Sequence, residues 1–202
     1  MQVLLPDVEA RAPIRIRAER PMNEGEFAEF CAQNPDLRIE REANGDLIIM
    51  PPTGAETGFR NSDLTVQLGV WAKKDGRGRA FDSNTEYILP DGAALSPDAS
   101  WVLKARLDQF SKEQKKRFLP LCPDFVVELT SPTDRLPRVK TKMQQWMDNG
   151  ALLGWLIDAD RGTIYIYRPA QQPEEVSGAD HVMGEGPVAG FRLELNDIWQ
   201  GL

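Results

Sequence analysis

The sequence predicts a mixed α/β fold of the α+β kind, a central mixed β-sheet flanked by helices. Three observations carry this expectation. Signals for elements run along the chain as helix, hairpin, helix, strands, strand, helix, strands, an order that suits a sheet covered by helices. The segment PDFVVELTSPTDRLPRVKTK, which starts at Pro123, opens with the near-continuous apolar run of a strand covered on both faces, broken only by Glu128. The composition, 41% hydrophobic and 27% charged, is that of an ordinary globular chain rather than a disordered one.

The elements follow in order. MNEGEFAEFCAQNP, from Met22, has Glu and Phe at helical spacing and stops at Asn34-Pro35. LRIEREANGDLIIMPP reads as a hairpin, with two β-rich runs around Asn44-Gly45 and Pro51-Pro52 ending the second. From Thr53 or Gly54 a helix places Leu64, Leu68 and Trp71 on one face, with Asp75-Gly76 and Gly78 as its stop. GRAFDSNTEYILPDG holds one or two short strands, and SPDASWVL, residues 96–103, another. RLDQFSKEQKKRF reads as a solvated helix face. After strand 124–130, Ser-Pro-Thr-Asp caps a helix from Leu136 to Asn149 that Gly150 ends. LLGWLID and TIYIYRP form a hairpin through a DRG turn, and EGPVAGFRLELNDIWQGL closes the chain with a strand and a short helix. No linker divides the 202 residues, so a single domain is expected, with residues 1–21 as an N-terminal extension.

Composition also narrows the chemistry. Cys31 and Cys122 lack CxxC spacing and read as free buried thiols. The single histidine, His181, lies in the glycine-rich SGADHVMGEGPVAG, read as a mobile loop, so a multi-histidine zinc site within one chain is excluded. Carboxylates and lysines must then carry most of any catalysis. A net charge of −7 argues against broad adhesion to nucleic acid, although an acidic metal site would itself add negative charge. The N-terminal stretch has no apolar core of signal-peptide length, and no run approaches about 18 apolar residues. A cytoplasmic protein without a membrane span is expected.

Three features stand together. Pro97-Asp98 opens one strand, Glu128 lies inside another, and Lys140 and Lys142 ride the next helix. Acids on two strands can hold a hard ion such as Mg²⁺, and a lysine can stabilise charge developing on phosphate. The bland alternative is a turn acid, a salt-bridged structural acid and a solvated lysine edge. Helical spacing does not choose between the lysines, because both flank the stripe Val139, Met143, Trp146 and Met147.

DLRIEREANGDLIIMPPTGAETGFRN, SPDASWV, PDFVVELTSPTD, the spacing Lys142–Trp146–Gly150 and GWLIDADRGTIYIYRP together resemble the Uma2 family of the PD-(D/E)XK restriction-endonuclease-like superfamily. That resemblance spans roughly Met22 to Pro169. It implies a restriction-endonuclease-like sheet and a divalent-metal-dependent endonuclease that hydrolyses phosphodiester bonds of nucleic acid, DNA before RNA. Asp98 becomes the acid of the PD motif and Glu128 the second ligand of Mg²⁺ or Mn²⁺, with the Leu129 carbonyl beside them. Lys142 takes the place of the family's lysine, since the strand reads Glu-Leu-Thr and carries none two residues after Glu128. Glu56, in TGAETG, matches a first-helix acid or histidine facing the metal, while the helix dipole also explains an acid there. Ser131 fits a cap, Asp158 a strand end, Gln144 and Gln145 the surface, and Trp146 and Trp155 the core. Analogy with duplex-cleaving enzymes adds a homodimer. Two rival readings are a catalytically silent fold used for binding or assembly, and an unrelated metal-assisted hydrolase of small phosphate esters.

Overall fold

The computed structural model describes residues 13–17 and 19–202. Along the chain run β1 (Ile14–Ile16), α1 (Glu24–Gln33), β2 (Arg38–Arg41), β3 (Leu47–Met50), α2 (Ala55–Asp75), β4 (Gly78–Phe81), β5 (Tyr87–Ile88), β6 (Ala94–Leu95), β7 (Ala99–Leu103) and α3 (Lys104–Leu107). The second half adds β8 (Phe125–Leu129), α4 (Leu136–Asp148), β9 (Leu153–Asp158), β10 (Thr163–Tyr167), β11 (Glu174–Ser177), β12 (His181–Met183), β13 (Arg192–Glu194) and α5 (Asn196–Gln200). The expected α/β class with helices around mixed sheets is what forms.

Local chemistry accounts for the early elements. Asn23 accepts from the Glu26 N–H while the Glu26 carboxylate accepts from the Asn23 N–H, a reciprocal cap that starts α1. Between β2 and β3 the chain turns through residues 43–45, closed by the Glu42 N–H on the Asp46 carbonyl at 2.8 Å. Gly45 takes the left-handed position that ends such a loop, at φ 91°.

The strands form a five-stranded sheet ordered β1-β3-β2-β6-β5, a six-stranded sheet ordered β11-β10-β9-β8-β7-β4 and the ribbon β12-β13. Among the described strands β8 and β9 are the parallel pair, and α4 makes the crossover between them. Alternation along β8 sorts its buried side chains into two layers. Phe125, Val127 and Leu129 join Leu64 and Leu68 of α2, Trp155 and Phe191 on one side. Val126 meets Met143 and Trp146 of α4 on the other. Glu128 shares the parity of Val126, so it too points toward α4. A third cluster packs Phe27 and Phe30 of α1 on Ile39, Leu47 and Ile49 of the five-stranded sheet.

Several expectations need correction. RLDQFSKEQKKRF is not one helix: α3 stops after Leu107, and only a 3₁₀ turn at Gln114–Lys116 follows. Ser111 and Gln114 hydrogen-bond reciprocally and restart the chain there, and residues 111–117 are all exposed, with no apolar stripe to anchor a longer helix. His181 is not in a loop but begins β12, opposite Glu194. Asn196–Gln200 follows that ribbon, so the stretch read as a mobile loop packs Val182 and Val188 into the core. Ser131 does not cap α4. Its N–H and hydroxyl both donate to Asp134, at 2.9 and 2.7 Å, and Arg135 stands at the N-cap without a side-chain bond. Within the expected N-terminal extension, Ile14–Ile16 pairs with β3, while residues 1–12, on which the leader reading rests, lie outside the described residues.

Gly78 marks a close approach between β4 and β7. A Cβ there would lie 2.2 Å from the Trp101 ring and 2.6 Å from the Val102 carbonyl oxygen, and Trp101 is fully buried. Gly78→Ala is expected to cost about 1–3 kcal/mol by overpacking. Calorimetry should then show Tm lower by roughly 2–4 °C per kcal/mol for a chain of this size; an unchanged Tm would mean that the ring moves freely.

Candidate active site

Glu128 is 5% exposed and its carboxylate is held by one helix. Lys142 and Trp146, one turn apart on α4, both reach it: Trp146 Nε1 donates to Oε1 at 2.7 Å and Lys142 Nζ lies 3.0 Å from the same oxygen. α4 can do this because Val139, Met143 and Trp146 bury one face of it against the sheet. Burial pushes the Glu128 carboxyl up to about 7, with Lys142 opposing and the nearby Asp98 and Glu40 reinforcing the rise.

Lys142 Nζ also donates to Glu40 Oε1 and to the Ser96 carbonyl, each at 2.9 Å. Burial alone would lower its pKa, but Glu128 and Glu40 outweigh it and hold the ammonium above the ordinary lysine range. It therefore stays charged at neutral pH. Glu40 in turn accepts from the Ser96 N–H at 3.1 Å. Through this pair, β2 of one sheet is tied to α4 and β8 of the other.

Asp98, just before β7, is fixed by both oxygens. Oδ2 accepts from the Leu129 N–H at 2.8 Å and Oδ1 from Asn61 Nδ2 of α2 at 3.2 Å. Burial raises its pKa against the pull of the Leu129 N–H, Arg38 and Lys142. The Asn61 Oδ1 beside it is buried with no hydrogen-bond partner. A buried acceptor left open next to a carboxylate suits a cation or its hydration water. Among the described residues no group of three or more His, Cys, Asp or Glu is arranged to hold a metal. The acids present fit an ion such as Mg²⁺, which takes one or two carboxylates and keeps several waters.

Of the residues singled out from the sequence, the structure brings Asp98, Glu128 and Lys142 together, with Leu129 as the backbone link between the two acids. Glu56 is set differently. It pairs with Arg60 at 2.8 Å, its side chain is 48% exposed, and Asn61 is the α2 residue that bonds Asp98. Five residues along a helix turn the side chain by roughly 140°, so the two cannot face the same way. Lys140 points elsewhere, with Nζ 3.7 Å from the centre of the Tyr165 ring. Asp158 ends β9 and pairs with Arg161; Gln144 bonds Asp148, and Gln145 bonds Asp91. Trp146 and Trp155 are fully buried. Both cysteines are free, and burial pushes both thiols up to about 12; Cys122 is buried, whereas Cys31 is only partly buried rather than buried as expected.

Three site residues, Arg38, Glu40 and Asn61, and one buried beside the site, Glu86, escaped the sequence reading. For two of them a signal existed in strand parity. Ile39 faces the α1 core, so Arg38 and Glu40 must share the opposite face of β2. Asn61 and Glu86 gave no such sign.

Helices on both faces of the six-stranded mixed sheet, with an acid–lysine group around the end of its interior strand β8, make a fold that a solved nuclease-like structure shares. The chain is similar to the crystal structure of "a putative nuclease belonging to DUF820" from Anabaena variabilis ATCC 29413, with a TM-score of 0.71 and 22% identity over 89% of this chain and 98% of that one. At that identity the likeness establishes the fold. The protein itself belongs to the Uma2 family, described as "Putative restriction endonuclease", whose profile matches residues 25–196. No curated protein matches the chain. No described helix is long and apolar enough to cross a membrane.

Proposed function

We propose that the protein is a divalent-metal-dependent nuclease that hydrolyses phosphodiester bonds of DNA. One observation carries the reading: Asp98 before β7, Glu128 of β8 and a charged Lys142 of α4 are gathered around the end of β8, and Lys142 is held there by Glu40 and the Ser96 carbonyl. Asp98, Glu128 and the Leu129 carbonyl are the groups that would hold Mg²⁺ or Mn²⁺. Such an ion supplies an activated water and offsets charge on the phosphate. Lys142, a rigid cation among acceptors, is suited to steady negative charge on phosphate oxygens or to orient the attacking water. Trp146 fixes the rotamer of Glu128, and the Leu129 N–H fixes that of Asp98.

The test uses single- and double-stranded DNA and RNA with Mg²⁺ or Mn²⁺. Cleavage is expected from the wild-type chain and none from Asp98→Ala or Glu128→Ala. Persistence in both variants would overturn the assignment, and absence of both cleavage and metal binding in the wild type would leave the binding or assembly reading.

A further inference from the structure

Beside the acid–lysine group lies a cleft of about 500 Å³ whose walls include Ala28 of α1, Arg38 of β2, Asn84, Glu86, Ser96 and Phe118. Its size falls within the roughly 300–1,000 Å³ of small-molecule sites. Two buried polar atoms of those walls have no hydrogen-bond partner, Arg38 Nε and Glu86 Oε1. Glu86 is 8% exposed, and no part of the acid–lysine group bonds it. Burial, with Glu40 next, pushes its carboxyl up to about 8, so it carries a proton at neutral pH.

Ser96 joins the cleft to the neighbouring group. Its carbonyl accepts from Lys142 Nζ at 2.9 Å and from Arg38 Nη2 at 3.5 Å, and its N–H donates to Glu40. A ligand in the cleft would thus lie next to whatever Lys142 contacts. The lining offers an N–H donor, a carboxylic acid that both donates and accepts, and the half-buried ring of Phe118. Adjacent donor and acceptor with one aromatic wall match the edge and face of a nucleobase, whereas a bare phosphate would use the N–H donors and leave the aromatic wall and the carboxyl acceptor unused.

We propose that this cleft is a nucleobase subsite, which takes an unpaired or extruded base next to the phosphate at Lys142. The adjacency to a scissile phosphate rests on the nuclease reading. A protonated carboxyl at Glu86 presents the same donor and acceptor as an amide. Glutamine should therefore replace it, and leucine should not.

Binding of the four nucleoside monophosphates and of ribose 5-phosphate to the full chain is measured by calorimetry without metal, in the wild type and in Asp98→Ala. At least one nucleotide is expected to bind about tenfold more tightly than ribose 5-phosphate in both proteins. That advantage should persist in Glu86→Gln and disappear in Glu86→Leu and in Ala28→Trp, which fills the cleft from α1, with folding followed by circular dichroism. Equal binding of ribose 5-phosphate and all nucleotides, or an advantage that survives both Glu86→Leu and Ala28→Trp, overturns the proposal. Base-dependent binding without any cleavage would sink the nuclease reading and leave the subsite; cleavage without base-dependent binding would do the reverse.

Discussion

Lys142→Met is expected to abolish cleavage and to destabilise the protein, with the two effects separable by a second substitution. The ammonium is the shared partner of Glu40, Glu128 and the Ser96 carbonyl, and its side chain is only 19% exposed. Removing one member of a buried charge group leaves the others uncompensated, a loss of about 3–5 kcal/mol. Loss of a preorganised donor at a developing charge costs about 100- to 1,000-fold in rate. Because Glu128 already titrates near 7, the variant can relieve itself at lower pH by protonating that carboxyl. Urea denaturation should therefore show a larger deficit at pH 8 than at pH 6. Adding Glu128→Gln should recover part of the lost stability, since a neutral amide needs no counter-charge although the buried Glu40 remains, while cleavage stays absent. A single variant with equal deficits at both pH values, or with cleavage retained, would remove Lys142 from the role assigned to it.

The contrast between Lys142 and Lys140 shows what sequence spacing can and cannot decide. The helix, its apolar stripe and the odd acid on the preceding strand are local patterns, and all were readable. Which flank of the stripe meets the other sheet is settled by Glu40, a residue 102 positions away from Lys142. Parity in RIER puts Glu40 on the face of β2 away from the α1 core but does not name its partner, because an acid in a strand next to a hairpin reads as solvent-facing until the second sheet covers it. Asn61 is a similar case: a polar residue in a long helix carries no mark of the carboxylate 37 positions ahead that it will bond. Glu56 drew attention because TGAETG matches a family position that faces the metal, yet it sits with Arg60 near Gly201. Local rules placed most of the strands and helices, though not β12 or the short α3; the meeting of two sheets, which is long-range packing, made the site.

The second large effect is on stability as a function of pH and Mg²⁺. The ordinary carboxyl value of 4.5 is raised to about 7 at Glu128 and to about 8 at Glu86, in both cases first by burial. Between the ordinary value and these raised ones the native chain binds more protons than the unfolded chain. Stability is then fully present below about 4.5 and is lost as pH rises through about 7 and 8. Each unit is worth about 1.4 kcal/mol, so the two groups together can move stability by several kcal/mol. Scanning calorimetry of the metal-free protein should accordingly give a falling Tm from pH 5 to pH 8.5, flattened at the upper end in Glu86→Gln and over the middle in Glu128→Gln. With Glu128 as a ligand, as proposed, Mg²⁺ would compete with the proton there, and the Tm gained from added Mg²⁺ should grow from pH 6 to pH 8. Glu86→Gln should leave that growth intact, because Glu86 lies outside the proposed ligand set, whereas Glu128→Gln should remove it. A Tm independent of pH across this range would show that the two acids are solvated, and a Mg²⁺ shift of equal size at pH 6 and pH 8 would place the ion away from Glu128.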